Sequence, residues 1–386
     1  MQRSNDRILT THAGRLLASN NLGQIAPAAG APANREDLLP AIKEGIHEVV
    51  QKQMAAGIDV ISDGEVGKIG GVTYFGPRMN GIERKIPSGD GPTMMSQRTN
   101  ERIEFADFYA SLGTFRNSSP ERLVCVGPLS FKGESEIQSD IQLFKDELIK
   151  VDSTAAGGEQ FMCALAPGWI EHGLWNEYYK SDEEFLFGIA EAMQPEYRAI
   201  VDAGFILQLD DPGLPDTYDM IVPSPSIEDY RKFAELRVEA QNHALEGIPE
   251  DRVRYHICWG SWHGPHTHDL PLKYVVDLML KIRAQAYSVE AANPRHEHEW
   301  KVWRDVKLPD GKILIPGVVS HATNVVEHPE VVADRIIRYA EVVGKQNVIA
   351  GTDCGMGARV HMQIGWAKLK ALSEGAELAS KQLWHS

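Results

Sequence analysis

Cysteine is scarce in this chain: its 386 residues contain four, Cys125, Cys163, Cys258 and Cys354. Thiols so few and so far apart do not build a disulfide framework, which leaves thiolate chemistry or plain burial as their uses. Long apolar runs are missing too. No segment approaches the roughly 20 residues of a membrane-spanning helix, and the opening stretch MQRSNDRILTTHAGR has no apolar signal-peptide core, so a cytoplasmic location is expected. Positive charge is in deficit, with 39 Lys and Arg against 54 Asp and Glu and a formal net charge of −15. Without a basic run, neither nucleic acid nor an anionic membrane surface is the expected partner. A small molecule is.

What the chain does have is 43% apolar residues, placed in short runs that alternate with helical patterns almost from end to end. That alternation favours a parallel sheet closed by crossover helices. Eight runs read as barrel strands: ILTTHAG from Ile8, DVISDGE from Asp59, QFMCALAP from Gln160, FILQLDDP from Phe205, VRYHICWG from Val253, AYSVEAA from Ala286, ILIPGVVS from Ile313 and NVIAGTDCG from Asn347. The expected fold class is α/β, a (β/α)8 TIM barrel in one domain over residues 1–386. A ninth run, RLVCVGPLS from Arg122, belongs to an inserted hairpin or excursion between strands 2 and 3, at about residues 76–155. One helix is expected from its cap Asn34 to its stop Gly57, with Leu39, Ile42, Ile46, Val49 and Val50 as its apolar stripe. Another has Pro329 in its first turn, Val332, Ile336, Tyr339 and Val343 facing inward, and Gly344 as its stop.

The unusual polar residues gather at the carboxyl ends of these strands: Glu65, Asp210, Asp211, His256, Cys258, Glu290, Asp353 and Cys354. In a barrel of this class that end carries the active site. His256 and Cys258 lie two apart on one strand and so project the same way. Together with Glu290 and Cys354 they make a credible zinc set, since soft thiolates favour zinc over magnesium or calcium. Taken alone, the H-x-C pair is weak evidence and reads first as part of a buried strand. Other residues also carry two readings. Glu65 and Asp210 either contact substrate or cap helices; Trp169 and Trp175 either stack on a flat donor or pack; Arg15 and Lys68 either meet an anion or pair with acids. Cys125 and Cys163 read as core residues. His263, His266 and His268 read as loop-shaping rather than as a second metal site, and His296 and His298 lie on the loop after Glu290.

The segments HICWG, YSVEAANPR and GTDCGMGAR follow the order and spacing of the zinc segments of cobalamin-independent methionine synthases and the related epoxyalkane-thiol alkyltransferases, a family the chain resembles from THAG to WAKLKALSEGA. The resemblance implies Zn2+ held by His256, Cys258, Glu290 and Cys354. GIDVISDGEVGK resembles the strand ending in a substrate-binding glutamate, which implies Glu65, and ILQLDDPGLPD resembles the Q-x-D-E-P strand, which implies Asp210. A histidine credited with proton transfer follows the seventh strand in the family; His321, one residue off that spacing, is the implied catalytic residue. The implied activity is zinc-dependent methyl or alkyl transfer to a thiol, with a small-molecule thiol acceptor and an alkyl donor as partners. A homo-oligomer is compatible with the chain.

Two features bear on the chemistry. Two thiolates and a carboxylate set three negative charges against the ion's two positive ones, so a bound substrate thiolate stays nucleophilic; this favours alkyl transfer over the hydrolysis that a histidine-rich shell supports. The family's first strand commonly ends G-S-[LF]-P, whereas this chain reads HAGRLLAS, with Arg15 at the serine position. A guanidinium there suits a carboxylate, sulfonate or phosphate on the incoming molecule. The alternatives from other classes are a metallohydrolase or a decarboxylating lyase on a similar barrel.

Overall fold

The strands are, in chain order, β1 (Leu9–Thr10), β2 (Ile61–Ser62), β3 (Met79–Lys85), β4 (Arg122–Phe131), β5 (Gln160–Leu165), β6 (Leu174–Asn176), β7 (Ile206–Asp210), β8 (Val253–Ile257), β9 (Ala286–Val289), β10 (Ile313–Val319) and β11 (Ile349–Thr352); all but β3, β4 and β6 are short and almost wholly buried. The computed structural model describes residues 1–18, 35–70, 73–88, 99–112, 120–151, 158–357 and 359–385. Eight strands run in parallel in the order β1, β11, β10, β9, β8, β7, β5, β2, which is chain order around a ring. At the seam between β1 and β2 the Val60 N–H donates to the Thr10 carbonyl (3.0 Å) and the Thr11 hydroxyl to the Val60 carbonyl (2.9 Å). The Asp59 carboxylate accepts from the Thr10 N–H (2.8 Å) and from both arms of Arg7. The expected (β/α)8 barrel is the fold.

Inside the barrel, two apolar clusters fill the space between the strands, one of Leu9, Ala286, Ile313, Ile315 and Ile349 and one of Val60, Phe161, Cys163 and Ile206. Polar side chains concentrate at the carboxyl ends of the strands. Outside it, the helix Arg35–Ala55 buries Leu38, Ile42, Ile46, Val49 and Val50. Its stripe begins on Leu38, not on the expected Leu39, which is half-buried; the expected cap Asn34 lies outside the described residues. The helix Pro329–Val343 starts on its proline, buries Val332, Ile336 and Tyr339, and ends where Gly344 takes a φ of 90°. Among the described residues, no helix is long and apolar enough to cross a membrane.

The excursion is a sheet of three strands, not a simple hairpin. β3 pairs antiparallel with β4, and β6, which follows β5 in the chain, adds to β4 in parallel. Two short helices, Asn100–Glu104 and Ala106–Leu112, lie between β3 and β4. Buried Arg78 ties this unit to the barrel's helices, bonding Asp140 (2.6 Å) and Glu136 (3.1 Å) and pairing with Glu196 (3.4 Å).

Candidate metal centre and active site

Along β8 the side chains alternate. Tyr255 bonds Asp211 (2.6 Å), whereas Arg254 reaches across the barrel to the Thr11 hydroxyl (2.9 Å) and His256 follows it two residues later. The next residue on that side is Cys258, just past the strand's end. From beyond β11, Cys354 brings its sulfur within 3.6 Å of the Cys258 sulfur. A ring nitrogen of His256 and both sulfurs lie within 4.8 Å of one another. The Ser288 hydroxyl engages His256 Nδ1 (3.0 Å), while buried Nε2 has no hydrogen-bond partner. An imidazole oriented by one nitrogen with the other left open, facing two sulfurs that form no disulfide, suits a soft divalent ion. The hydrogen bond to Cys258 holds Cys354 well below the ordinary thiol range, and the same bond, with burial, pushes Cys258 up.

Glu290, the expected fourth ligand, stands one step aside. Its carboxylate accepts from the Trp259 N–H (2.8 Å) and from Asn293 Nδ2 (2.6 Å), and it groups with His321 and Asp353, one ligand atom of each lying within 4.8 Å of the others. Burial pushes the Glu290 carboxyl up to about 8. Asp353 is fixed by the Ala291 and Ala292 N–H groups (2.7 and 2.8 Å). His321 is buried, which lowers its pKa, and its Nδ1 is unpartnered.

The sulfurs and His256 line a pocket of about 760 Å³, open mouth included, whose walls also carry Arg15, Glu65, Trp169 and Asp210. Glu65 follows β2 with a φ of 56°, and Ser261 on the loop after β8 has 58°; left-handed backbone at residues other than glycine marks places where the surrounding structure imposes the conformation. Asp210 accepts from Gln208 Nε2 (2.6 Å), and burial, then the neighbouring Glu65, push its carboxyl up to about 7. Lys68 is taken up by acids and backbone, 3.7 Å from Glu65 and bonded to the Cys163 carbonyl. Trp175 belongs to β6, opposite Val124 of β4 in the side sheet, and is not among the residues that line this pocket.

No family model matches the chain. A curated methionine synthase of Thermococcus kodakarensis is 23% identical over 359 residues, covering 90% of this chain and 86% of the relative. One from Saccharolobus solfataricus is 24% identical over 358 residues, covering 92% and 89%. The chain is similar to the cobalamin-independent methionine synthases over about nine tenths of its length. The fold agrees: a B12-independent methionine synthase from Shewanella sp. W3-18-1 in complex with selenomethionine superposes with a TM-score of 0.72 at 21% identity, over 98% of this chain and 100% of that one. A putative vitamin-B12 independent methionine synthase from Listeria monocytogenes gives 0.64 at 18% identity, over 96% and 98%.

Several pocket residues escaped the sequence. Tyr74 lines the wall from the start of the excursion, and nothing in its surroundings in the chain marks it. Arg359 lines it too, and its place at the end of the GTDCGMGAR segment was the available signal. Cys163, read as core, is buried, yet its sulfur groups with Glu65 and Asp210. The histidine loop matches its loop-shaping reading: His266 bonds Asp269 (2.9 Å) and the Trp262 carbonyl (2.8 Å), and His268 bonds Glu104 (2.6 Å). His296 is stacked on Trp259 at 3.8 Å and bridges Asp269 and Glu299, a structural place outside the pocket.

Proposed function

We propose that the protein is a zinc-dependent transferase that moves a methyl or other alkyl group onto the sulfur of a small thiol. The observation that carries this reading is the convergence of two sulfurs and an unpartnered, oriented imidazole on one face of an open pocket. The curated relatives named methionine synthase support it. His256, Cys258 and Cys354 would hold the metal, with Glu290 as the adjacent fourth donor. Zinc bound there supplies a means of keeping an incoming thiol deprotonated at neutral pH.

The chain's own residues then divide the work. Cys258 and Cys354 contribute negative charge that keeps the centre electron-rich, which weighs against the hydrolase alternative, where a neutral histidine shell would better acidify water. Glu65 and Asp210 present carboxylates to the substrate. Arg15 and Arg359 present guanidinium groups, and neither has a carboxylate within 4.0 Å among the described residues. The acceptor is therefore read as a thiol carrying an anionic group, and an ammonium group is also accommodated. Trp169 offers a flat wall for the donor, and His321, grouped with Glu290 and Asp353, is the proposed proton carrier. The test is metal content with thiol consumption: purified protein should hold one zinc per chain and consume thiol only with an alkyl donor, across a panel of methylated folates, corrinoids, epoxides and methyl ethers. Full activity in metal-free protein would overturn it.

A further inference from the structure

The excursion reaches the loop that follows β8, and one buried carboxylate makes the contact. Glu101, on the helix Asn100–Glu104, is 1% exposed. Its Oε1 accepts from the Trp262 indole N–H (3.1 Å) and from the Tyr109 hydroxyl, and its Oε2 from the Thr267 N–H (3.1 Å). Trp262 and Thr267 both belong to the loop that begins at Cys258. That loop turns sharply, through Gly260 with a φ of 82° and Ser261 with 58°. The Trp262 ring lies directly on the turn: a Cβ on Gly260 would fall 1.9 Å from it. Ser261, in turn, places its hydroxyl 3.6 Å from the Cys258 sulfur. The same helix is anchored to the segment following β7, since Asn100 Nδ2 donates to the carbonyls of Asp219 (2.7 Å) and Ile221 (2.8 Å), and the Glu101 N–H to Asp219 Oδ1 (2.9 Å).

We infer that Glu101 is a positioning residue for the metal centre: by gripping Trp262 and Thr267 it presses the Gly260–Ser261 turn into place and so sets where Cys258 stands relative to Cys354. Cys258 is held from two sides, by β8 below and by the excursion above. A buried carboxylate that accepts from two donors of this loop and from Tyr109 on its own side makes a firm grip, because losing it leaves buried donors unpaired. Glu104, one turn on, bonds His268 at 2.6 Å but is 52% exposed, and a pair so exposed holds little.

The inference rests on zinc binding at His256, Cys258 and Cys354, and the experiment separates the two. Zinc release from the loaded enzyme to an excess of chromophoric chelator is followed in wild type, Glu101→Ala, Glu101→Gln, Trp262→Phe and Glu104→Ala. Glu101→Ala should release zinc at least tenfold faster than wild type, Glu101→Gln should fall between them, and Glu104→Ala should stay within about twofold of wild type, as expected for an exposed pair. If Glu101→Ala does not fold, Trp262→Phe decides, since it deletes one N–H donor and keeps a ring on the turn; it should release zinc at least threefold faster. Release in folded Glu101→Ala, or failing that in Trp262→Phe, at the wild-type rate would overturn the positioning role. Wild-type protein that holds no zinc would instead overturn the functional reading beneath it.

Discussion

Replacing Arg15 with serine restores the residue that the methionine synthase family commonly carries at this position, and its effect can be worked from the pocket. The Arg15 Nε is buried without a hydrogen-bond partner, so the free enzyme already bears a desolvated donor that an anionic ligand would satisfy. A hydrogen bond between two charged groups contributes about 1.5–3 kcal/mol. At about 1.4 kcal/mol per tenfold, its loss weakens binding roughly 10- to 100-fold. Calorimetric titration of the zinc-loaded enzyme needs no donor substrate and reads this directly. Three thiols of similar length isolate the charge: 3-mercaptopropionate, 2-mercaptoethanol and cysteamine. Arg15→Ser should lose affinity by that factor for the first and stay within about threefold for the other two, because a neutral or cationic tail has no use for the guanidinium. Arg15→Lys should fall in between, keeping the charge without the two-armed fork. Equal weakening for all three thiols, or none for any, would refute the reasoning: the first outcome makes Arg15 a scaffold residue, and the second leaves the anion to other groups.

Other substitutions probe the centre and the frame. Cys258→Ala and Cys354→Ala should each lose zinc with the circular dichroism of the barrel intact, while Glu290→Gln, whose carboxylate stands outside the three converging ligands, should retain more; equal metal loss by elemental analysis in all three would contradict this order. Gly260→Ala puts a methyl 1.9 Å from Trp262 at a φ of 82° and should cost about 2 kcal/mol or more; a melting temperature matching wild type would show that the turn can be rebuilt. His12 accepts from the Gly14 N–H at Nδ1 (3.2 Å) and bonds Gln53 through Nε2 (2.7 Å), and burial lowers its pKa to about 3 from an ordinary 6.5. The unfolded chain therefore takes up this proton first, so the ring's contribution is complete above neutrality and is lost as pH falls through 6.5 toward 3. By pH 5 that loss is about 2 kcal/mol. His12→Gln should remove this increment from the change in stability between about pH 7.5 and pH 5 in urea denaturation, and an unchanged difference between the two proteins would rule it out.

The fold was legible because barrel strands announce themselves locally. Each of the eight runs from Ile8 to Gly355 contains a parallel strand of the barrel, since a strand buried on both faces must be a short apolar run whatever its neighbours are. The metal candidates were legible for a related reason: chemistry sits on the strand ends, and strand ends can be counted. Contacts between distant segments were not. Glu101 meets Trp262 across 161 positions, and no periodicity in either segment requires that meeting. The place of Trp175 in the side sheet was not legible either, because an aromatic residue after a barrel strand looks the same whether it faces the pocket or joins a side sheet. Glu290 was placed correctly along the chain, yet the orientation of its carboxylate depends on the Trp259 amide and Asn293, which only the folded backbone brings near.

The seam between β1 and β2 has a dynamic consequence. Seven junctions of the barrel are ladders between paired strands, whereas this one relies on a few bonds around Thr10, Thr11, Asp59 and Val60, several of them made by side chains. It is the natural place for the wall to breathe. Arg15 leaves β1 on one side of the seam and Glu65 leaves β2 on the other, joined above it by the bond from the Leu16 N–H to the Gly64 carbonyl (3.1 Å). Opening the seam therefore spreads the two pocket residues of opposite charge, and a ligand that spans them acts as a stitch. Hydrogen exchange would register this as faster exchange at Val60 than at Leu209 in the free protein, with the difference shrinking once a zwitterionic thiol is bound.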